Sequence, residues 1–134
     1  MDENIFKDSK KLKRINFSSN KIHSFPIRLL QGQKDLEEVW LSNNQITVLN
    51  DNIFIDCKKL KIINFGDSNG GNLIEKLPKN LFFGLTLLEI VYFGNNQITE
   101  LDENLFKDSK KLKKISFQVD FYKVKKILQG QNLF

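Results

Sequence analysis

The chain has 134 residues, 40% of them hydrophobic, which suits a single packed domain and excludes a disordered tail. Its 21 basic and 16 acidic residues leave a net charge of +5 and a pI near 9.3, a balance that permits acidic partners without demanding them. Cys57 is the only cysteine, which excludes an intrachain disulfide, and no apolar run approaches the roughly 18 residues of a membrane span.

The chain opens on the polar Met1-Asp2-Glu3-Asn4, which is no signal peptide. Residues 1–17 (MDENIFKDSKKLKRINF) return as 101–117 (LDENLFKDSKKLKKISF) with thirteen of seventeen positions identical, so the pattern to follow is a repeat. After a partial repeat at 1–11, the first full phrase (12–35) reads Leu12-x-x-Ile15-x-Phe17-x-x-Asn20-x-Ile22-x-x-Phe25-Pro26. The second (36–59) reads Leu36-x-x-Val39-x-Leu41-x-x-Asn44-x-Ile46-x-x-Leu49. The third (60–87) begins Leu60-x-x-Ile63-x-Phe65, is interrupted by Gly66-Asp67-Ser68-Asn69-Gly70-Gly71, and resumes at Asn72-x-Ile74-x-x-Leu77-Pro78. The fourth (88–111) is Leu88-x-x-Val91-x-Phe93-x-x-Asn96-x-Ile98-x-x-Leu101; an irregular fifth (112–134) starts Leu112-x-x-Ile115-x-Phe117-x-x-Asp120 and loses register.

Each phrase alternates apolar and polar residues as a strand with one buried face does, which predicts strands centred near 14–17, 38–41, 62–65, 90–93 and 114–117. A coil that returns to the same phrase stacks these strands in parallel, about 4.8 Å apart. Asn20, Asn44, Asn72 and Asn96 follow the strands, and their amides can donate and accept at once, so a stacked ladder can satisfy the backbone of the turn. Phe6, Leu30, Phe54, Phe82 and Phe106 recur as an internal spine. The segments between, short and rich in Asn, Asp and Lys, are expected to form turns and short 3₁₀ pieces.

This frame resembles the leucine-rich-repeat family in its 24-residue class, L-x-x-L-x-L-x-x-N-x-L-x-x-L-P-x-x-x-F, across essentially the whole chain. The resemblance implies an α/β-type solenoid: a right-handed horseshoe with a five-stranded parallel sheet on the concave side and turns or 3₁₀ segments on the convex side. It implies a non-catalytic scaffold that binds a protein through the concave face. The class resembles Toll-like receptor ectodomains and small matrix proteoglycans, which implies an extracellular setting. The lone Cys57 and the absent signal peptide also fit the cytoplasm, and the compartment stays open.

Period-2 geometry then sorts the strand residues. One outward column is Arg14, Glu38, Ile62, Ile90, Lys114; a second is Asn16, Trp40, Asn64, Tyr92, Ser116; a third is Ser18, Ser42, Gly66, Gly94, Gln118. Trp40, Tyr92, Ile62 and Ile90 are large apolar groups on a face that should be solvated. With Arg14, Glu38, Asn64 and Lys114 around them they form the candidate partner site, weighed against simple cross-strand packing. The small third column is expected to leave room for a ligand at Gly66 and Gly94. The Gly66–Gly71 insertion is expected to place a flexible loop on the rim.

Rival chemistries are thinner. His23 is the lone histidine, and Cys57 aligns with Ser9 and Ser109 in what reads as a small polar slot on the convex side. No metal spacing, phosphate loop or nucleophile motif occurs, so the sequence calls for neither cofactor nor metal, nor for an enzyme. Lys10, Lys34, Lys58 and Lys110 stack as a column that could meet a polyanion, a nucleic acid or lipid headgroups. The column Lys13, Glu37, Lys61, Glu89, Lys113 alternates in sign and suggests lateral ion pairing instead. The sequon Asn16-Phe17-Ser18 falls on the concave face, where a glycan would block binding. A third reading is weak end-to-end self-association, since residues 127–134 (ILQGQNLF) restart the phrase of 29–36 (LLQGQKDL) and apolar groups such as Ile5, Phe6, Leu133 and Phe134 lie near the ends.

Overall fold

A computed structural model of the protein describes residues 1–117. Five parallel strands follow one another in chain order across a single sheet: β1 (Arg14–Asn16), β2 (Glu38–Trp40), β3 (Ile62–Gly66), β4 (Ile90–Phe93) and β5 (Lys114–Ser116). Neighbouring strands always come from successive repeats. The chain therefore winds as a solenoid, in the right-handed sense that parallel crossovers favour. The register follows the repeat at the start of every strand: Arg14 pairs with Glu38, Glu38 with Ile62, Ile62 with Ile90 and Ile90 with Lys114. One backbone bond at the strand entry repeats in every coil, with the N–H groups of Glu37, Lys61, Glu89 and Lys113 donating to Lys13, Glu37, Lys61 and Glu89 at 2.7–2.8 Å.

The asparagine ladder forms as the spacing predicts. Asn44 Nδ2 donates to Leu41 O within its own coil and to Phe17 O of the coil before (3.1 and 2.9 Å), while its Oδ1 accepts the Ile22 N–H at 3.1 Å. Asn72 does the same between Phe65 O, Leu41 O and the Ile46 N–H, and Asn96 between Phe93 O, Phe65 O and the Ile74 N–H. One amide thus closes the turn of its own coil and fastens it to its neighbour, and the two inner rungs, Asn44 and Asn72, are buried.

Behind the strands lies a core of leucine, isoleucine and phenylalanine in which Phe54, Phe65, Phe82, Phe93 and Phe106 are fully buried. The rings stack along the axis, with centroids 5.2 Å apart for Phe82 and Phe106, 5.4 Å for Phe65 and Phe93, and 4.9 Å for Phe93 and Phe117. Phe54, Phe65, Phe82, Phe93, Phe106 and Phe117 therefore build a ring column where an aliphatic core would be the simpler choice.

The convex side differs from expectation. Among the described residues it holds no 3₁₀ helix, only hydrogen-bonded turns. The reason is visible in the backbone: counting coils by their convex segments (2–9, 26–33, 50–57, 78–85 and 102–109), in the second coil the N–H groups of Leu29, Gln31 and Gln33 donate to Pro26, Arg28 and Leu30, and the other coils repeat this every-second-residue pattern. A 3₁₀ helix needs the same bond at successive residues. The skipped donors have other work: the Gly32 N–H donates to Asp56 Oδ2 and the Gly84 N–H to Asp108 Oδ2, both at 2.8 Å and both in the next coil. Coils two and four open this segment on Pro26 and Pro78, whereas coils one, three and five open on Asp2, Asn50 and Asp102, whose side chains accept the N–H two residues on.

One further expectation is corrected. The insertion is not a loose loop. The Asp67 and Gly70 backbones pair with each other, the Asn69 N–H donates to Asp67 Oδ1, Asn95 Nδ2 donates to Asp67 O, and the Asn44 N–H donates to Gly71 O. It is a miniature hairpin tied to the coils on both sides. Cys57 fills the same slot as Ser109 two coils on: it is fully buried with Sγ 3.9 Å from Leu30 O, as Ser109 Oγ lies 3.4 Å from Leu85 O, and burial pushes its thiol up to about 12. The residues that carry the end-to-end reading at the far end, 127–134 with Leu133 and Phe134, lie outside the described residues, as do Gln118 and Asp120.

Candidate partner-binding face

The outward columns of the sheet fall where period-2 geometry puts them, with Asn16 beside Trp40, Trp40 beside Asn64, Asn64 beside Tyr92 and Tyr92 beside Ser116. Trp40, Tyr92, Ile62, Ile90 and Glu38 are half-buried, and Arg14 and Lys114 are exposed. The two aromatic rings are each fixed by a cation from the adjacent outer strand. The Arg14 guanidinium lies 5.1 Å from the Trp40 ring centroid, and Lys114 Nζ lies 5.1 Å from that of Tyr92. Arg14 Nε also meets Glu38 Oε2 at 3.2 Å, and Trp40 Nε1 donates to the same oxygen at 3.0 Å. Arg14, Glu38 and Trp40 therefore close a three-membered network that holds the indole in one orientation, while Ile62 and Ile90 pair side by side in the adjoining column.

Asn64 departs from the rest of the set. It is only 1% exposed, its Nδ2 donates to Asp67 Oδ2 at 2.9 Å and its Oδ1 accepts the Gly66 N–H at 2.8 Å. Its amide serves the hairpin, so it is not available to a partner. The third column is corrected as well. The register slips after Asn64, so that Gly66 pairs with Phe93, and a Cβ placed on Gly66 would collide with the Gly94 carbonyl oxygen. Both glycines are buried, and the space expected for a ligand is filled by the hairpin's own backbone. Ser18 and Ser42 spend their hydroxyls on one another at 3.0 Å.

The charged columns read from the sequence do pair laterally, with Lys61 to Glu37 at 3.7 Å, Lys113 to Glu89 at 3.3 Å and, one column over, Lys59 to Asp35 at 2.8 Å. The hydrogen bond and the charge of Lys59 hold the Asp35 carboxyl below its usual range and raise Lys59 in return. Lys10 and Lys58, from the lysine column, donate to carbonyls of the following coil, Gln31 O at 2.9 Å and Phe83 O at 3.4 Å. Among the described residues no cluster of His, Cys, Asp or Glu is placed to hold a metal, and no helix is long and apolar enough to cross a membrane.

A BspA-type leucine-rich-repeat region of six copies matches residues 1–71, slightly more than half of the chain. The chain belongs to the BspA-type leucine-rich-repeat family. None of the curated protein sequences matches it. Solved structures share its fold. The Toll chain of the Drosophila Toll–Spatzle complex matches 99% of this chain with a TM-score of 0.82 at 22% identity. TLR13 in its complex with the RNA ssRNA13 matches 87% with a TM-score of 0.77 at 24% identity. A leucine-rich-repeat protein of Leptospira interrogans matches 96% with a TM-score of 0.79 at 25% identity. At these identities the first two likenesses carry the fold alone. The chain spans only 18%, 17% and 31% of those three chains.

The strand columns were legible because the repeat sets their phase. A second cluster lies outside that phase. On the convex side Ile55 and Phe83 occupy the column Lys7, Gln31, Ile55, Phe83, Lys107 and are 50% and 56% exposed. Extending the 24-residue alignment beyond the strands would have shown them as apolar outliers among polar neighbours.

Proposed function

We propose that this repeat protein is a non-catalytic scaffold that binds a protein partner on its concave sheet. Trp40 and Tyr92 are the anchors, Ile62 and Ile90 the apolar floor beside them, and Arg14, Glu38 and Lys114 the charged rim. The observation that carries the reading is the pair of half-buried aromatic rings on the solvent face, each held by a cation from the neighbouring strand. Rigid aromatics lose little entropy when a partner covers them, and such groups dominate interface energetics. The fold's neighbours support binding as the general use: the Toll chain was solved with Spatzle and TLR13 with an RNA.

A protein suits this face better than a nucleic acid. Of its two cations, Arg14 is already paired with Glu38, so few charges remain for successive phosphates. Two lysines of the convex column that could serve a polyanion are hydrogen-bonded to backbone of the next coil. Site-specific photo-crosslinking tests the assignment. A benzophenone side chain placed at Asn16 or Ser116, beside the aromatics, should yield a protein adduct in extracts of cells that make this chain. The same group at Lys79 on the convex side should not yield that adduct. An adduct formed from Lys79 and absent from both sheet positions would move the interface off the concave face.

A further inference from the structure

The flank from which the chain enters its strands carries a charge of its own. It consists of five short segments, 10–14, 34–38, 58–62, 86–90 and 110–114, which the strand register and the entry bonds stack side by side. Twelve of the chain's 21 basic residues but only four of its 16 acidic ones fall on these positions, a net +8, which leaves −3 for the rest of the chain. The two signs also lie at different depths. Eleven of the twelve cations are exposed, whereas all four acids are half-buried. In each ion pair here, Arg14–Glu38, Lys59–Asp35, Lys61–Glu37 and Lys113–Glu89, the cation is the more exposed partner. Lys10 and Lys58 each give one N–H to a carbonyl, which leaves the ammonium its charge and two further donors. A solvent-facing line of positive charge therefore runs along the axis for about 19 Å, four coil steps of about 4.8 Å.

What the flank lacks narrows the ligand. No aromatic residue occurs among its positions, so it holds no platform on which the bases of a single strand could stack. All its cations but Arg14 are lysines, compact point charges rather than the planar fork that reads bases and phosphates two bonds at a time. A duplex turns once in about 34 Å, so its phosphate rows wind away from a straight line of this length. None of the flank's apolar side chains is exposed, which leaves nothing to insert into a bilayer. We propose that this flank is a second binding site, separate from the aromatic face, for a linear sulfated polysaccharide. Such a chain is extended, bears anionic groups along its whole length, and needs neither pocket nor stacking platform to lie against a row of lysines.

The test is fluorescence anisotropy with a labelled heparin octasaccharide at about 0.15 M salt, with an unsulfated hyaluronan octasaccharide as control. Heparin should bind saturably and weaken as salt rises, and hyaluronan should bind at least about tenfold more weakly. Lys11→Glu/Lys34→Glu/Lys111→Glu should weaken heparin binding at least about tenfold with the melting temperature unchanged, because all three side chains are exposed. The milder Lys→Gln triple at the same positions should weaken it at least about threefold, which keeps a reading should the glutamates disturb the coils. Lys7→Glu/Lys21→Glu/Lys79→Glu, off the flank, makes the same change of net charge from +5 to −1 and should cost no more than about threefold. Trp40→Ala with Tyr92→Ala should leave heparin binding intact, so that failure here and failure of the concave assignment read out separately. Equal losses in the two glutamate triples, equal affinity for hyaluronan, or no saturable heparin binding would overturn the proposal. Tighter binding of a DNA strand or duplex, or of phosphatidylserine vesicles, lost in the flank triple, would overturn it in favour of a nucleic acid or a membrane surface.

Discussion

At Asn44 three things meet: a strand end, the coil before and the coil after. Replacing it with Ala removes donors to Leu41 O and Phe17 O and the acceptor of the Ile22 N–H. Stability should fall by about 1–3 kcal/mol, since those backbone groups lose their partners. Lys79→Ala on the exposed convex side should change it by about 0.5 kcal/mol or less. Thermal melts of the two variants that coincide would remove the ladder from the account. Gly66 is as constrained for a steric reason, because a Cβ there meets the Gly94 carbonyl; Gly66→Ala should cost about 1–3 kcal/mol of overpacking. Cys57, buried and with its pKa pushed up to about 12, stays a thiol at ordinary pH. A thiol reagent at pH 8 should label it only in denaturant, and fast labelling of the native protein would mean that the core opens. The Lys59 partner that lowers Asp35 makes a pH-dependent contribution. A lowered carboxylate pKa stabilises above its unfolded value and loses that effect as pH falls through the folded one. The stability gap between wild type and Asp35→Asn should therefore be present at neutral pH and close under acid conditions, and a gap that persists in acid would argue against the ion pair.

At the scale of the element, the leucine phrase was read from the sequence with its register intact, because a one-residue slip would turn Ile15, Val39, Ile63 and Val91 out of the core. The asparagines were legible for a related reason: a buried amide repeating at a fixed place after a strand has few other uses. What sequence missed was settled by contacts between coils. Gly32 and Gly84 give their N–H groups to Asp56 and Asp108 of the next coil, and this interrupts the helical bond pattern that local composition allows. Asn64 read as a surface residue by its phase. The hairpin that buries it depends on how Asp67 folds back, which no periodicity encodes. The phenylalanine column belongs to this scale too. Phe82 touches Phe65, Phe93 and Phe106, and Phe82→Ala should cost about 3–5 kcal/mol, enough to uncouple neighbouring coils.

For the whole molecule, among the described residues each strand contacts only its neighbours, so the sheet is a one-dimensional array whose outer surface is free to vary while the inner one is fixed. That division explains why large apolar groups could accumulate at Trp40, Ile62, Ile90 and Tyr92 without disturbing the fold. The direct test of the central claim is the affinity of the partner crosslinked from Asn16 or Ser116, measured by calorimetry against wild type and against Trp40→Ala/Tyr92→Ala. The account predicts a loss of about 30-fold or more, about 2 kcal/mol, with little change in melting temperature. Unchanged affinity in the double variant, with binding lost instead in Lys10→Glu/Lys58→Glu and falling steeply with salt, would contradict it.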